Sequence, residues 1–78
     1  MPRFFFKVRD DVVVDDEEGM VLPDVEAARL QGIRSARALA CEQVLHGRLN
    51  VGHSIEIQDE EGRQIATIRF GDAVRIED

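Results

Sequence analysis

The chain has 78 residues, with 16 acidic side chains against 10 basic ones and a net charge of −6. This length predicts a single domain over residues 1–78. Folding of a chain this short buries only about 60% of the surface that the unfolded chain exposes, so the core is thin. The negative charge argues against DNA or RNA as the main ligand, because a polyanion releases its counterions only to a basic surface.

Cysteine usage and apolar run lengths bear on the compartment. Cys41 is the only cysteine, so no disulfide within the chain supports the fold and a reducing compartment is expected. The apolar run of residues 4–6 is too short for the core of a signal peptide, and no apolar stretch approaches the roughly 20 residues that cross a bilayer. We therefore expect a cytoplasmic protein that does not contact the membrane.

Two strands are predicted before the helix. Residues 3–9 alternate between apolar and polar positions, with one extra aromatic, Phe5, on the polar side. Residues 12–14 are three valines, whose β-branched side chains disfavour helix and predict a second strand. The acidic run that ends at Gly19 predicts a loop over residues 15–19.

A long helix is predicted from residue 24 to residue 47. Asp24 follows a proline and is placed to accept a hydrogen bond from the free N–H groups of the first turn. The only helix breaker before Gly47, a natural left-handed C-cap, is Gly32. Apolar and small residues fall on one side of the helical wheel and predict the core-facing stripe: Val25, Ala28, Gly32, Ile33, Ala36, Leu39, Ala40 and Val44.

The C-terminal third predicts a hairpin. Residues 54–58 alternate as a strand, residues 59–62 form a tight turn with Gly62 left-handed, and residues 63–70 form the returning strand, with a short tail strand over residues 73–76. The predicted fold class is α+β with the order ββαββ, in which one long helix packs on a mainly antiparallel four-stranded sheet. The pattern leaves open which strand of this hairpin lies beside the first strand.

Two groups of apolar residues are left over after one face of the sheet has been packed against one face of the helix. Ile68 and Phe70 have the opposite parity to Ile65 in the last strand, so either a β-bulge near Thr67 corrects the register or both residues join Phe5 on the outer face of the sheet. The back of the helix carries a second apolar group: Ala27, Leu30, Ala38, Cys41 and Leu45, with Arg34 among them. This group either packs under loops or forms a helix–helix contact in a homodimer.

No motif for catalysis or ligand binding is present in the sequence. There is no CxxC or HxxxH pair for zinc, no EF-hand spacing in the acidic run, no nucleophile elbow and no glycine-rich phosphate loop. We expect no catalytic, cofactor-binding or metal-binding residues and no enzyme activity.

The function predicted first is a protein-interaction or regulatory domain that self-associates or binds another protein. Its possible interface is drawn from both apolar groups: Phe5, Ile68, Phe70, Leu30, Arg34, Ala38, Cys41 and Leu45. The alternative is a weak nucleic-acid-associated regulator, which would use the basic residues Arg29, Arg34, Arg37 and Arg48.

Three segments resemble a known family. They are Met1-Pro2-Arg3-Phe4-Phe5-Phe6, then Asp16…Gly19…Leu22-Pro23-Asp24…Ala27-Ala28, and Asp59…Gly62-Arg63. Together they resemble a family of short alphaproteobacterial proteins catalogued as a domain of unknown function, and the resemblance covers almost the whole chain. The motifs are structural, so the resemblance implies no activity, cofactor or catalytic residue.

Overall fold

The chain folds into one antiparallel sheet with a long helix across one face. The computed structural model describes residues 2–77. Its elements, in chain order, are β1 (Arg3–Arg9), β2 (Val13–Val14), β3 (Met20–Val21), α1 (Val25–Leu45), β4 (Ser54–Gln58), β5 (Gln64–Arg69) and α2 (Phe70–Ala73). The predicted α+β class and the ββαββ order are confirmed, with β3 as an additional short strand.

The order of the sheet is β2-β1-β4-β5, and β3 pairs with the same edge of β1 as β2. All the pairings are antiparallel, and Phe6 lies opposite Ile57 in the central pair. The question that the sequence left open is thereby resolved: β1 lies beside β4, and β5 forms the far edge.

The edge formed by β2 and β3 is interrupted, and a carboxylate fills the gap. Both short strands pair with β1, and residues 15–19 loop away between them. The Phe6 N–H donates to Asp16 Oδ2 at 3.1 Å, and the Gly19 N–H donates to Asp16 Oδ1 at 3.0 Å. Asp16 thus replaces a missing strand partner, since a backbone N–H needs an acceptor. The loop was predicted, whereas β3 was missed.

Helix α1 begins and ends as predicted. Asp24 accepts a hydrogen bond from the Ala27 N–H at 2.8 Å, and Gly47, just beyond the helix, has a φ of +88°. Val25 and Val44 were predicted in the core but are 47% and 58% exposed. The reason is length: 21 residues of helix extend about 32 Å, whereas the five residues of β4 extend about 17 Å, so both helix ends overhang the sheet.

The inner face of α1 is made of very small residues. Its buried positions recur every fourth residue: Ala28, Gly32, Ala36 and Ala40. A Cβ atom added at Gly32 would lie 2.7 Å from Ile57 Cδ1 and 3.2 Å from Ile68 Cγ1. The helix backbone therefore rests directly on the isoleucines of β4 and β5, so close that a side chain at Gly32 would require them to move.

A β-bulge sets the register of the hairpin. Ile57 pairs with Ala66 and Gln58 with Gln64, which makes Ile65 the extra residue. The bulge lies closer to the turn than predicted, and it turns Ile68, which is 7% exposed, toward the helix. The alternative, an outer apolar face formed by Ile68, Phe70 and Phe5, is therefore wrong.

The end of the last predicted strand is instead a single helical turn, α2. The Phe70 N–H donates to the His53 carbonyl at 2.8 Å, and the Gly71 N–H donates to the Val51 carbonyl at 3.1 Å. These bonds direct Phe70, which is 1% exposed, into the core. Phe70 is consequently not a surface residue, and the tail strand predicted over residues 73–76 is not formed.

The turn between β4 and β5 has the predicted three-residue loop, with Gly62 at a φ of +81° and the Asp59 N–H bonded to the Arg63 carbonyl at 2.9 Å. Asp59 Oδ1 accepts from the N–H groups of Glu61 and Arg63, both at 2.9 Å. The backbone hydrogen bond from Arg63, ahead of its guanidinium, holds the pKa of Asp59 below the ordinary aspartate value.

Replacing Gly32 by leucine tests the close contact between helix and sheet. Overpacking of a core costs up to about 3 kcal/mol, against a gain in helix propensity of about 0.8 kcal/mol, so we expect a net loss of about 2 kcal/mol in the free energy of unfolding. The chain has no Trp or Tyr, so urea unfolding is followed by circular dichroism. Arg29→Leu, at an exposed position of α1, is the control and should change stability little. Equal stability of Gly32→Leu and the unsubstituted chain would contradict the contact.

Asp59 also predicts a pH dependence. The pKa of Asp59 is lower in the folded chain than in the unfolded chain. Ionised Asp59 therefore stabilises the fold at pH values above the ordinary pKa of aspartate, and this stabilisation is lost as the pH falls through the pKa of the folded chain. Between pH 7 and about pH 3, the urea midpoint should fall further for the unsubstituted chain than for Asp59→Asn, which has no carboxylate to protonate. Glu17→Gln is the control, and parallel curves for Asp59→Asn and the unsubstituted chain would refute this role.

Candidate functional site

The most buried ionisable side chain in the described part of the chain is His53, which is 8% exposed and precedes β4. Its ring packs edge-on against Phe70, with 5.8 Å between the ring centroids and an interplanar angle of 77°. The ring lies at the base of an open cleft of about 230 Å³, between the end of α1 and the loop after β1. A buried histidine in a cleft is a candidate for acid–base chemistry, so its partners decide its role.

The hydrogen bonds of Gln43 determine which nitrogen of His53 carries the proton. The Asn50 N–H donates to Gln43 Oε1 at 2.8 Å, so the other end of this amide is the NH₂ group. That group lies 2.7 Å from His53 Nδ1, which must accept from it. The proton of the neutral ring is then on Nε2, which faces Asp11 Oδ1 at 3.6 Å.

This cluster joins the end of α1 to the loops on either side of it. Both ring nitrogens of His53 face a partner, and Asp11 is 70% exposed and also lies 3.5 Å from Arg48 Nη2. The residues that line the described cleft include no Ser, Thr, Cys, Lys or Tyr. Among residues 2–77, no group of three His, Cys, Asp or Glu side chains could hold a metal ion. The folded chain brings Gln43 and Asp11 to His53 from distant segments, so no local pattern in the sequence indicates this cluster.

The outer face of α1 is the larger candidate surface. Leu30 is 50% exposed and Leu45 is 74% exposed, and both project away from the sheet. Ala38, Cys41 and Arg34 lie between them and are also exposed. Apart from Ala27, which is half-buried, the predicted group is exposed on one side of the helix, defined here as the outer face of α1: Leu30, Arg34, Ala38, Cys41 and Leu45.

An apolar groove adjoins this face. It has a volume of about 510 Å³ and lies between the C-terminal half of α1 and the segment that follows α2. Its walls include Cys41 and Val44 from the helix and Leu49, Val74 and Ile76 from outside it. Of these, Val44 is 58% and Ile76 is 72% exposed, so the groove extends the apolar surface of the helix sideways.

The other predicted interface residue, Phe5, lies on the opposite side of the molecule. It is half-buried on the outer face of the sheet, and a Cβ atom added at Gly19 would lie 2.8 Å from Phe5 Cε2. The 15–19 loop therefore covers part of its ring. Phe5 and the outer face of α1 are therefore on separate surfaces. Ile68 and Phe70, which were predicted to lie beside Phe5, are instead buried in the core.

Three of the four arginines predicted for nucleic-acid binding have partners within the chain. Arg29 lies 3.8 Å from Glu26, Arg48 lies 3.5 Å from Asp11, and Arg37 Nε donates to the Ala73 carbonyl at 2.7 Å. Among residues 2–77, neither Arg34 nor Glu42 on the exposed side of α1 has an ion-pair partner. The basic residues thus do not form one free cluster.

Comparison with known proteins identifies the family. The family model described as a domain of unknown function (DUF6894) matches residues 3–71, and the chain belongs to this family. No curated protein and no solved structure is significantly similar to the chain. None of the helices in the described residues is long and apolar enough to span a membrane.

The two histidines are predicted to carry their protons on opposite nitrogens. His53 should be protonated on Nε2, for the reason given above, whereas His46 should be protonated on Nδ1, which lies 2.9 Å from the Glu42 carbonyl. Long-range proton–nitrogen NMR correlations at mildly alkaline pH distinguish the two forms, and each histidine is the control for the other. A proton on Nδ1 of His53 would contradict the orientation assigned to Gln43.

Proposed function

We propose that this member of the family is a non-enzymatic interaction domain that self-associates through the outer face of α1. The observation that supports it most is that Leu30 and Leu45 are half or more exposed on the same helix face, on a chain too small to cover them. Contiguous exposed apolar surface in a small protein usually marks an interaction site.

A second copy of the chain is the partner that fits this face best. The face carries a cation, Arg34, and the neighbouring Glu42 supplies an anion, and neither has an ion-pair partner among the described residues. A surface that presents both an apolar strip and complementary charges matches itself, as a two-fold symmetric dimer requires. A different protein would have to present both an apolar strip and opposite charges at matching positions.

The proposed contact is small. One helix face and its surroundings lie at the low end of specific interfaces, which bury roughly 1,200 Å² or more in total, so we expect a reversible dimer with a dissociation constant in the micromolar range. An interaction of this strength suits regulation by concentration.

The arrangement of charges disfavours the nucleic-acid alternative. Arg29, Arg37 and Arg48 each have a partner within the chain, and the net charge is −6. Binding to nucleic acid would have to displace these contacts and overcome the repulsion from the acidic surface. The proposal of a non-enzymatic role is supported by the engaged ring nitrogens of His53 and by the openness of its cleft.

Sedimentation equilibrium tests self-association directly. We expect the unsubstituted chain to dimerise with increasing concentration, and Leu45→Glu to raise the dissociation constant at least tenfold, because a charge replaces an apolar contact. Leu45 is 74% exposed, so the substitution should leave the fold intact.

Val12→Glu is the matched control, because Val12 is 68% exposed but lies in the loop after β1. It should dimerise like the unsubstituted chain. A chain that is monomeric at high micromolar concentration, or a Leu45→Glu variant that dimerises normally, would refute the proposal.

A further inference from the structure

We infer that two copies pair through antiparallel α1 helices centred on Ala38, with Leu30 of each copy entering the apolar groove of the other. This inference rests on the proposed self-association and adds its geometry. It starts from the two largest apolar residues of the outer face, Leu30 and Leu45, which lie near opposite ends of the helix.

In an antiparallel pair, residues whose numbers add to a constant lie side by side. Bringing Leu30 of one copy beside Leu45 of the other sets that sum at 75, and the two-fold axis then passes between residues 37 and 38. Ala38, a small exposed residue, lies at this closest point and allows the helix backbones to approach. Any register shift moves each leucine away from its apolar counterpart.

The same register places opposite charges together. Arg34 lies opposite Cys41 of the second copy, beside Glu42 of that copy, and the symmetry repeats the pair. The two Arg34 residues are kept about 10 Å apart along the helix axes. Charges that have no ion-pair partner among the described residues of one chain thus gain one in the dimer.

The groove receives the remaining side chain. On a helical wheel with 100° per residue, Leu30 lies about 40° from Arg34. Cys41 and Val44, which line the groove, lie on the same side of Arg34 as Leu30. The two-fold axis is perpendicular to the plane of the two helices, so the grooves of both copies lie on the same side of the helix pair. Leu30 of one copy therefore reaches the groove of the other copy, one wall of which is Ile76. Arg37, the cation nearest the axis, is held toward the same wall by its hydrogen bond to the Ala73 carbonyl.

Disulfide trapping tests the register. Ala38→Cys in a Cys41→Ser background should form an intermolecular disulfide on mild oxidation, because the two residues at position 38 flank the axis and their Cα atoms fall within the roughly 4.4–6.8 Å that a disulfide requires. Cys41 in the unsubstituted chain is the control: the two Cys41 residues are about 10 Å apart along the axes and should not cross-link efficiently.

Charge reversal tests the ion pair. Arg34→Glu and Glu42→Arg should each raise the dissociation constant about tenfold, and the double variant should restore it, since only the double variant re-forms both pairs. Circular dichroism checks that each variant is folded. Sedimentation equilibrium gives the dissociation constants.

The outcomes separate the two levels of the proposal. A monomeric unsubstituted chain removes the proposed function and this inference with it. A dimer that is weakened by Leu45→Glu, but that neither cross-links through position 38 nor regains affinity in the double variant, retains the proposed function and overturns the antiparallel register. Cross-linking together with rescue supports both.

Discussion

The close contact of α1 with two isoleucines is the constraint on which the rest of the structure depends. At Gly32 the helix backbone is so near Ile57 and Ile68 that a single Cβ atom would not fit without movement. The stripe of alanines on either side continues this contact along the helix. Because the buried positions of α1 are Ala and Gly, the large buried side chains of the core come from outside the helix: Phe4, Ile55, Ile57, Ile68 and Phe70.

This division of volume accounts for the surface of the molecule. The fully buried face of α1 consists of Ala and Gly, and Ile33 and Leu39 are half-buried against the core, whereas Leu30 and Leu45 remain on the outside. Within the described residues 2–77, no second layer covers these two leucines. We propose that a second copy of the helix does, so that the same element packs closely on one side and presents leucines on the other. The His53 cluster, by contrast, joins the loops at one end of the sheet through Gln43 and Asp11.

The elements with strong local signals were predictable from the sequence. Asp24 and Gly47 mark the ends of the helix, and Gly62 marks the hairpin turn, because caps and left-handed residues act within a few positions of the chain. The position of the bulge at Ile65 was not predictable, because the register depends on which isoleucines contact Gly32 across the core. Strand β3 depends on its pairing with the distant β1, and α2 depends on the His53 and Val51 carbonyls, which accept hydrogen bonds from its first N–H groups. Of the candidate surface, the outer face of α1 follows from helical periodicity alone, whereas the groove beside it requires the path of the chain after α2.

The measurement that tests the account most directly is an NMR search for contacts between the methyl groups of Leu30 and Val44. Within one straight helix these residues are about 21 Å apart, beyond the range of a nuclear Overhauser effect, so any such contact must join two copies. In a mixture of isotope-labelled and unlabelled chains at millimolar concentration, the account predicts intermolecular cross-peaks between these methyl groups. Their absence from a sample that sedimentation has identified as dimeric would contradict the antiparallel pairing, and a sample that remains monomeric would contradict self-association itself.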